Sequence, residues 1–542
     1  MRALTLLLAA GLAATALPTT ALACGGLFCN TAQPVNQAAE RILFARNGDR
    51  VEMHVRLTWA GPPTEFGWLL PVPTDVEVGL SSEQLFTVLD SLYAPLFTLQ
   101  TVFDDGCDNF GRGGVANADA GAFAPGEGDP SGGGGGVQIL SREAVGPFDT
   151  VVLQADNVRV LRAWLDDNDY GIPDGSDDLL QPYIDAGAAF VALRLLPNAQ
   201  STEVQPIKLT FGGAMRTVPI RPTQVAAEPD MGVIVHVLGD ARAIPTNYLH
   251  VRINEAAIDW PNNGQNYPDV VSQAADEAGG QAFATDYAGT SGGLRGSLRL
   301  YEGAELERIR ATRTGQELQD IVFNFQGDSD LARILPGVIE GPEGFDPQDY
   351  FQCPFCYEGN ELTVDGAELA RQIEEDINPP RRGLLDLVEA HPYLTRLYTT
   401  LSSDEMTVDP IFDENPDLDA VSNQWNATQY IHCGMNGEPD FEHTTVETAS
   451  GLRFPLLGGQ NPDVIQREAG ETVRGEGIPA ARVIEQHLTA GQPMVAQDRS
   501  TEIADRYAGD AGGCSCDVGE GGTPMGLLGL LGLVAMTRRR RR

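Results

Sequence analysis

At 542 residues, 42% of them hydrophobic and 21% charged, the chain is long enough for two or three domains around a sizeable core. Its charge is lopsided: 36 basic residues against 76 acidic ones leave a formal −40. A surface of that sign repels nucleic acid and anionic headgroups, which excludes nucleic acid as a partner. The chain opens on Met1-Arg2, an apolar run over residues 6–14, and Ala21-Leu22-Ala23. These are the parts of a signal peptide over residues 1–23, cleaved after Ala23 by the export machinery. The mature chain then starts at Cys24, outside the cytoplasm, where a Cys24–Cys29 disulfide is favoured. Lipidation of Cys24 is the rival expectation, although Ala21 stands where a lipobox wants Leu.

Residues 41–46 and 51–59 are two expected strands, joined at Asn47-Gly48-Asp49, where Asn-Gly tolerates the positive φ of a hairpin turn. In the second, Val51, Met53, Val55, Leu57 and Trp59 alternate with Glu52, His54, Arg56 and Thr58, which predicts one face on a core and one in water. Gly61-Pro62-Pro63 breaks that strand, and residues 66–72 form another apolar one paired with it. Residues 81–93 carry a helical stripe behind the caps Ser81 and Ser82. Residues 111–136, with five consecutive glycines, cannot bury enough apolar surface to order themselves and are expected to be a disordered insert. No Lys-Ser/Thr follows them, as a phosphate loop would need. A strand over 149–155 and a helix over 157–164 lead into the acidic stretch 166–178. Asn168 and Gly171 suit a calcium loop counted from Asp166, but Tyr170 and Asp177 do not, so a solvated turn is expected. Residues 190–196, 204–211 and 231–238 are further strands of one mixed sheet, with His236 as a core residue.

Three motifs carry a resemblance: A-C-G-G-L-F-C at 23–29, F-G-W-L-L-P-V-P at 66–73 and A-D-E-A-G-G-Q-A-F-A-T-D-Y-A-G at 275–289. Over residues 24–357 the chain resembles the domain of unknown function 2330 family. That implies an exported bacterial protein and supplies no catalytic residue. Asp276 and Glu277 are expected near a helix end closed by Gly279-Gly280. The expected fold class is α+β: a mixed, largely antiparallel, β-rich domain with packed helices over 24–340, then a smaller helical and loop region over 341–500. Helices are expected over 302–323, 367–376 and 382–401, and a connection over 414–434. Gly289-Thr290-Ser291-Gly292-Gly293 has the spacing of a nucleophile elbow, but a polar, helix-like segment precedes it, so a loop is expected. Cys353-Pro354-Phe355-Cys356 lies in an expected loop, unlike a redox motif, and His432 and Cys433 are adjacent, which ill suits zinc. Cys107, Cys353, Cys356 and Cys433 are therefore expected to form structural disulfides, with three pairings open. No metal ligand set and no cofactor is expected.

The tail comprises a flexible linker over 501–524 with Cys514 and Cys516, an apolar segment over 525–537 and five arginines at 538–542. The apolar segment is short of the ~20 residues that span a bilayer core, and the arginines hold its end in the cytoplasm. Cysteine, short apolar segment and arginine cluster resemble the MYXO-CTERM sorting signal. The resemblance implies a membrane anchor that an intramembrane sorting protease cuts near Cys514, leaving the protein on the outer surface of the cell envelope. The expected function is structural or binding, with its ligand left open. The alternative is an extracytoplasmic, hydrolase-like enzyme using carboxylates that the fold brings together.

Overall fold

The computed structural model describes residues 28–29, 37–57, 66–104, 137–168, 170, 175–196, 204–213, 216–225, 227–322, 327–342, 345, 362–434, 438–466 and 477–508. The segment 1–23, Cys24, the 111–136 insert, Cys107, Cys353, Cys356 and the tail with Cys514 and Cys516 lie outside them. Among the described residues no helix is long and apolar enough to cross a membrane.

The strands Gln37–Asn47 and Arg50–Leu57 form the expected hairpin. Its two-residue loop is Gly48-Asp49, and only Gly48 takes a positive φ, +66°. This hairpin sits inside a ten-stranded sheet. In spatial order its strands are Met494–Asp498, Ala481–Gln486, Leu249–Ile253, Ala282–Thr290, Tyr393–Leu401, Ala227–Gly239, Gln37–Asn47, Arg50–Leu57, Ile207–Gly212 and Glu77–Leu80. Two neighbouring pairs are parallel, Gln37–Asn47 with Ala227–Gly239 and Leu249–Ile253 with Ala282–Thr290; the other pairs are antiparallel.

One face of this sheet packs against a five-stranded antiparallel sheet that contains Phe66–Val72, Phe148–Ala155 and Ala189–Leu195. Ile42, Phe44, Met53 and Val55 meet Trp68, Leu70, Val191 and Leu193 in the shared core. The single mixed sheet expected from the sequence is thus two sheets, and residues 66–72 pair away from the hairpin. The other face is covered by the helices Glu83–Tyr93 and Asn378–Ala390 through Leu43, Ala45, Leu238 and Leu394. That cover overturns the expectation of a water-facing row. Glu52 and His54 are buried, Asn47 Nδ2 donates to Glu52 Oε1 at 2.6 Å, and His54 Nδ1 lies 2.8 Å from Ser81 Oγ. Burial pushes the His54 imidazole down, keeping it neutral where a charge would be expensive.

The α+β class holds, with two corrections after residue 390. The helix expected over 382–401 stops at Ala390, before His391-Pro392, because the residue ahead of a proline is driven out of the helical region. Residues Tyr393–Leu401 instead form a strand between Ala227–Gly239 and Ala282–Thr290. The expected connection over 414–434 contains the strand Gln424–Cys433 of a four-stranded sheet, where it runs parallel to Leu96–Phe103. The sheet therefore has no break at residue 340. Beside it, Phe97, Trp260, Tyr267, Val446, Phe454 and Tyr507 share a second core. A third core of Leu306, Ile309, Leu331, Leu369 and Ile373 holds the short helices between residues 303 and 377.

Candidate functional site

Strand alternation places His250 and Arg252 of Leu249–Ile253 on one face. His250 lies directly opposite Glu485 of the antiparallel strand Ala481–Gln486, and His487 follows just past that strand's end. All three are buried. His250 Nδ1 is 3.1 Å and His487 Nε2 is 3.2 Å from the same oxygen, Glu485 Oε1. The imidazole rings stack with centroids 4.1 Å apart and planes 22° from parallel. On the far side, His250 Nε2 is 2.9 Å from Thr285 Oγ1, and Thr285 Oγ1 accepts from Arg242 Nη2 at 3.1 Å. Arg252 Nη2 stands 3.6 Å from the other carboxylate oxygen, Oε2.

Burial alone would raise the Glu485 carboxyl, but hydrogen bonds from His250 and His487 outweigh it and hold the group well below the usual carboxylate range. Burial first, and the stacked His487 second, bring the His250 imidazole down to about 3. The centre at neutral pH is therefore a carboxylate flanked by a neutral His250.

These groups floor a cleft of about 450 Å³. Arg242, Arg252 and Arg482 reach it together with the acids Glu485 and Asp419, and Trp425, Val421 and Val495 give it apolar wall. Next to it the ladder between Ala282–Thr290 and Tyr393–Leu401 shifts register between Thr285 and Tyr287. The bulge re-aims Asp286 into the interior, where it accepts from Arg396 and from Tyr267.

The residues singled out from the sequence lie elsewhere. Cys29 closes the short strand Phe28–Cys29, and Cys433 ends Gln424–Cys433 and is disulfide-bonded. His432 is engaged with Asp104 at 2.7 Å and Thr445 at 3.1 Å. In the acidic stretch, Asp177 is held by Arg162 at 2.9 Å and Asn168 Nδ2 donates to the Trp164 carbonyl, so helix ends consume both side chains. Ser291 corrects an expectation: the strand Ala282–Thr290 precedes it and the helix Gly292–Ser297 follows. It is nonetheless buried, donates to the His391 carbonyl at 2.7 Å and has an ordinary φ of −80°, none of which suits a nucleophile. Asp276 and Glu277 do end a helix, Tyr267–Glu277, before Gly279 and Gly280 at φ +90° and +80°. Glu277 accepts from the backbone of Ala480 and Ala481, whereas Asp276 shares a hydrogen bond with Glu405.

No motif in the sequence pointed to the His250–Glu485–His487 centre. His250 and Glu485 are 235 residues apart, and the only local clue is Glu-x-His at 485–487, whose spacing of two suits one face of a strand. A family model described as an uncharacterized protein conserved in bacteria (DUF2330) matches residues 18–295, just over half of the chain. No curated protein and no solved structure matches. The matched span contains His250, Thr285 and Arg242; Glu485 and His487 come from beyond it.

Proposed function

The chain belongs to the DUF2330 family of uncharacterized bacterial proteins, and we propose that this member is exported, anchored at the cell envelope, and binds a small anionic ligand in the cleft. The observation that carries the binding role is charge. In a chain of net −40, three guanidinium groups, Arg242, Arg252 and Arg482, meet at one opening. Arg252 is about half exposed, its side chain 49% accessible, and Arg482 makes no side-chain hydrogen bond to another described residue. Planar donors on strands, beside an apolar wall, suit a carboxylate or phosphate of modest size. The family carries no assigned activity that would contradict this.

Location is supported by the sequence: the signal peptide 1–23, the short apolar segment 525–537 and the arginines 538–542. In this proposal an intramembrane sorting protease cuts the tail near Cys514 and leaves the protein on the outer surface. Fractionation of cells carrying Cys514→Ala or Cys516→Ala tests it; surface display at mature size by both variants would remove the sorting step.

For the cleft, titration calorimetry with inorganic phosphate and with citrate is the direct test. At least one should bind, and Arg252→Glu with Arg482→Glu should weaken it about tenfold or more, as two lost charge-assisted hydrogen bonds require. Equal heats from wild type and the double variant would end the proposal.

A hydrolase-like enzyme is the second reading, and one observation favours it. The fold brings Asp276 to Glu405, and burial followed by that neighbour pushes Glu405 up to about 7, a range useful for proton transfer. Among the described residues, no side chain able to act as a nucleophile is hydrogen-bonded to either acid. Glu405→Gln distinguishes the two, because anion affinity in the cleft should survive it unchanged.

A further inference from the structure

We propose that His250, Glu485 and His487 form a binding site for one divalent transition-metal ion of the zinc class at the floor of the cleft. The inference goes beyond anion binding, since it concerns a cation and different side chains.

Two imidazoles and a carboxylate each offer one ligand atom, and those atoms all lie within 4.8 Å of one another. Tetrahedral zinc with bonds of about 2.0–2.1 Å sets its ligands about 3.3–3.4 Å apart. The two measured edges, 3.1 Å from His250 and 3.2 Å from His487 to Glu485 Oε1, are already close to that spacing. Imidazole nitrogens select zinc, cobalt or nickel over magnesium and calcium, which prefer all-oxygen sets.

The frame holds this arrangement in place. His250 and Glu485 are a directly opposed cross-strand pair, so the ladder fixes their separation; His487 stacks on His250 with planes 22° from parallel, so one ring turns out of the stack for both lone pairs to meet the same ion. Thr285 Oγ1, itself anchored by Arg242, can accept a proton on His250 Nε2 once a metal ion takes the place of the Nδ1 proton that His250 otherwise offers Glu485 Oε1. Such an outer hydrogen bond is what orients a ligating histidine. Arg252 stands at Oε2 and leaves Oε1 to the metal. The ion's open position then faces the cleft, which also provides its route in.

A hydrogen-bonded triad of purely structural purpose would have the same contacts and no metal affinity. The full chain, purified in detergent and stripped with a chelator, is titrated with Zn²⁺ by calorimetry and with Co²⁺ by visible absorption. The expected result is one ion per chain above the background of the His250→Ala/His487→Ala double variant, which retains all eight cysteines. Each single alanine variant should weaken binding about 100-fold or more, and Thr285→Val, a positioning residue, about 10–100-fold. Zn²⁺ should raise the melting midpoint of wild type and leave that of Glu485→Gln unmoved; this near-isosteric variant serves if the alanine variants do not fold. Equal Zn²⁺ uptake by wild type and double variant, or by wild type and Glu485→Gln, would overturn the site. Phosphate and citrate binding to the metal-free chain would then still stand, so the two proposals fail separately.

Discussion

Glu405 is a half-buried carboxyl held against a second carboxyl, that of the exposed Asp276 at the end of the helix Tyr267–Glu277. Burial is the largest influence on it, Asp276 and Asp404 add like charge, and together they push Glu405 up to about 7 from an ordinary 4.5. A carboxyl whose folded value is raised favours folding while protonated. Its contribution is complete below pH 4.5 and is lost as pH rises through about 7. Glu405→Gln removes the charge and keeps a hydrogen-bonding head. It should match wild type below pH 4.5 and exceed it above pH 7 by about 1–2 kcal/mol, a figure reduced because the partner Asp276 lies in solvent. Urea denaturation at pH 4 and pH 8 measures both arms. The same offset at both values would show that the pair does not share its proton. The centre in the cleft is built from the opposite chemistry, a carboxylate kept ionised by its neighbours, and that contrast separates a pair that stores repulsion from one prepared for a cation.

At the level of elements, one aspartate joins two pieces of the chain. The helix Glu83–Tyr93 begins at Ser82, whose hydroxyl accepts from Leu85 N at 3.3 Å. Asp330, at the start of the helix Ser329–Ile334, accepts from Ser82 Oγ at 2.5 Å and from Glu83 N at 2.7 Å. It also pairs with Arg381, which is fully buried and engages Asp328 as well. Asp330→Ala therefore uncaps one helix and leaves half of a buried guanidinium unpaired, a loss of about 3–5 kcal/mol. A loss under about 1 kcal/mol in urea would mean that Arg381 finds another partner. The capped helix was legible in the sequence, because a serine cap and a 3.6-residue stripe are local signals. Tyr393–Leu401 was not. Leu394, Leu397, Tyr398 and Leu401 recur at helical spacing, and a strand buried on both faces shows no alternation to contradict them. Tertiary pairing decided that segment. The binding centre was illegible for a related reason: its residues become neighbours only when Leu249–Ile253 and Ala481–Gln486 pair.

Across the whole molecule, the chain returns to its own sheet late. Ala227–Gly239 has Gln37–Asn47 on one side and Tyr393–Leu401 on the other, and Tyr393–Leu401 in turn supports Ala282–Thr290. The family match ends at residue 295, yet the ten-stranded sheet needs residues up to 498. A fragment of residues 24–340 would keep Ala227–Gly239 and Ala282–Thr290 without the strand between them. Two central edges would be bare, and Val233, Val235 and Phe283, all buried in the intact core, would lose their cover from Leu397 and Leu401. Unpaired apolar edges of that kind associate with other chains. The fragment should therefore fail to melt cooperatively and should elute as aggregate on size exclusion. As a control, replacing residues 111–136 with a short Gly-Ser linker should change stability by about 1 kcal/mol or less, since closure entropy varies only with the logarithm of loop length. A monomeric 24–340 fragment with a sharp melting transition would show that the sheet divides after all. Co-expression with residues 341–508 should restore solubility, and the recovered complex should contain both Ala282–Thr290 and its partner Tyr393–Leu401 protected from hydrogen exchange.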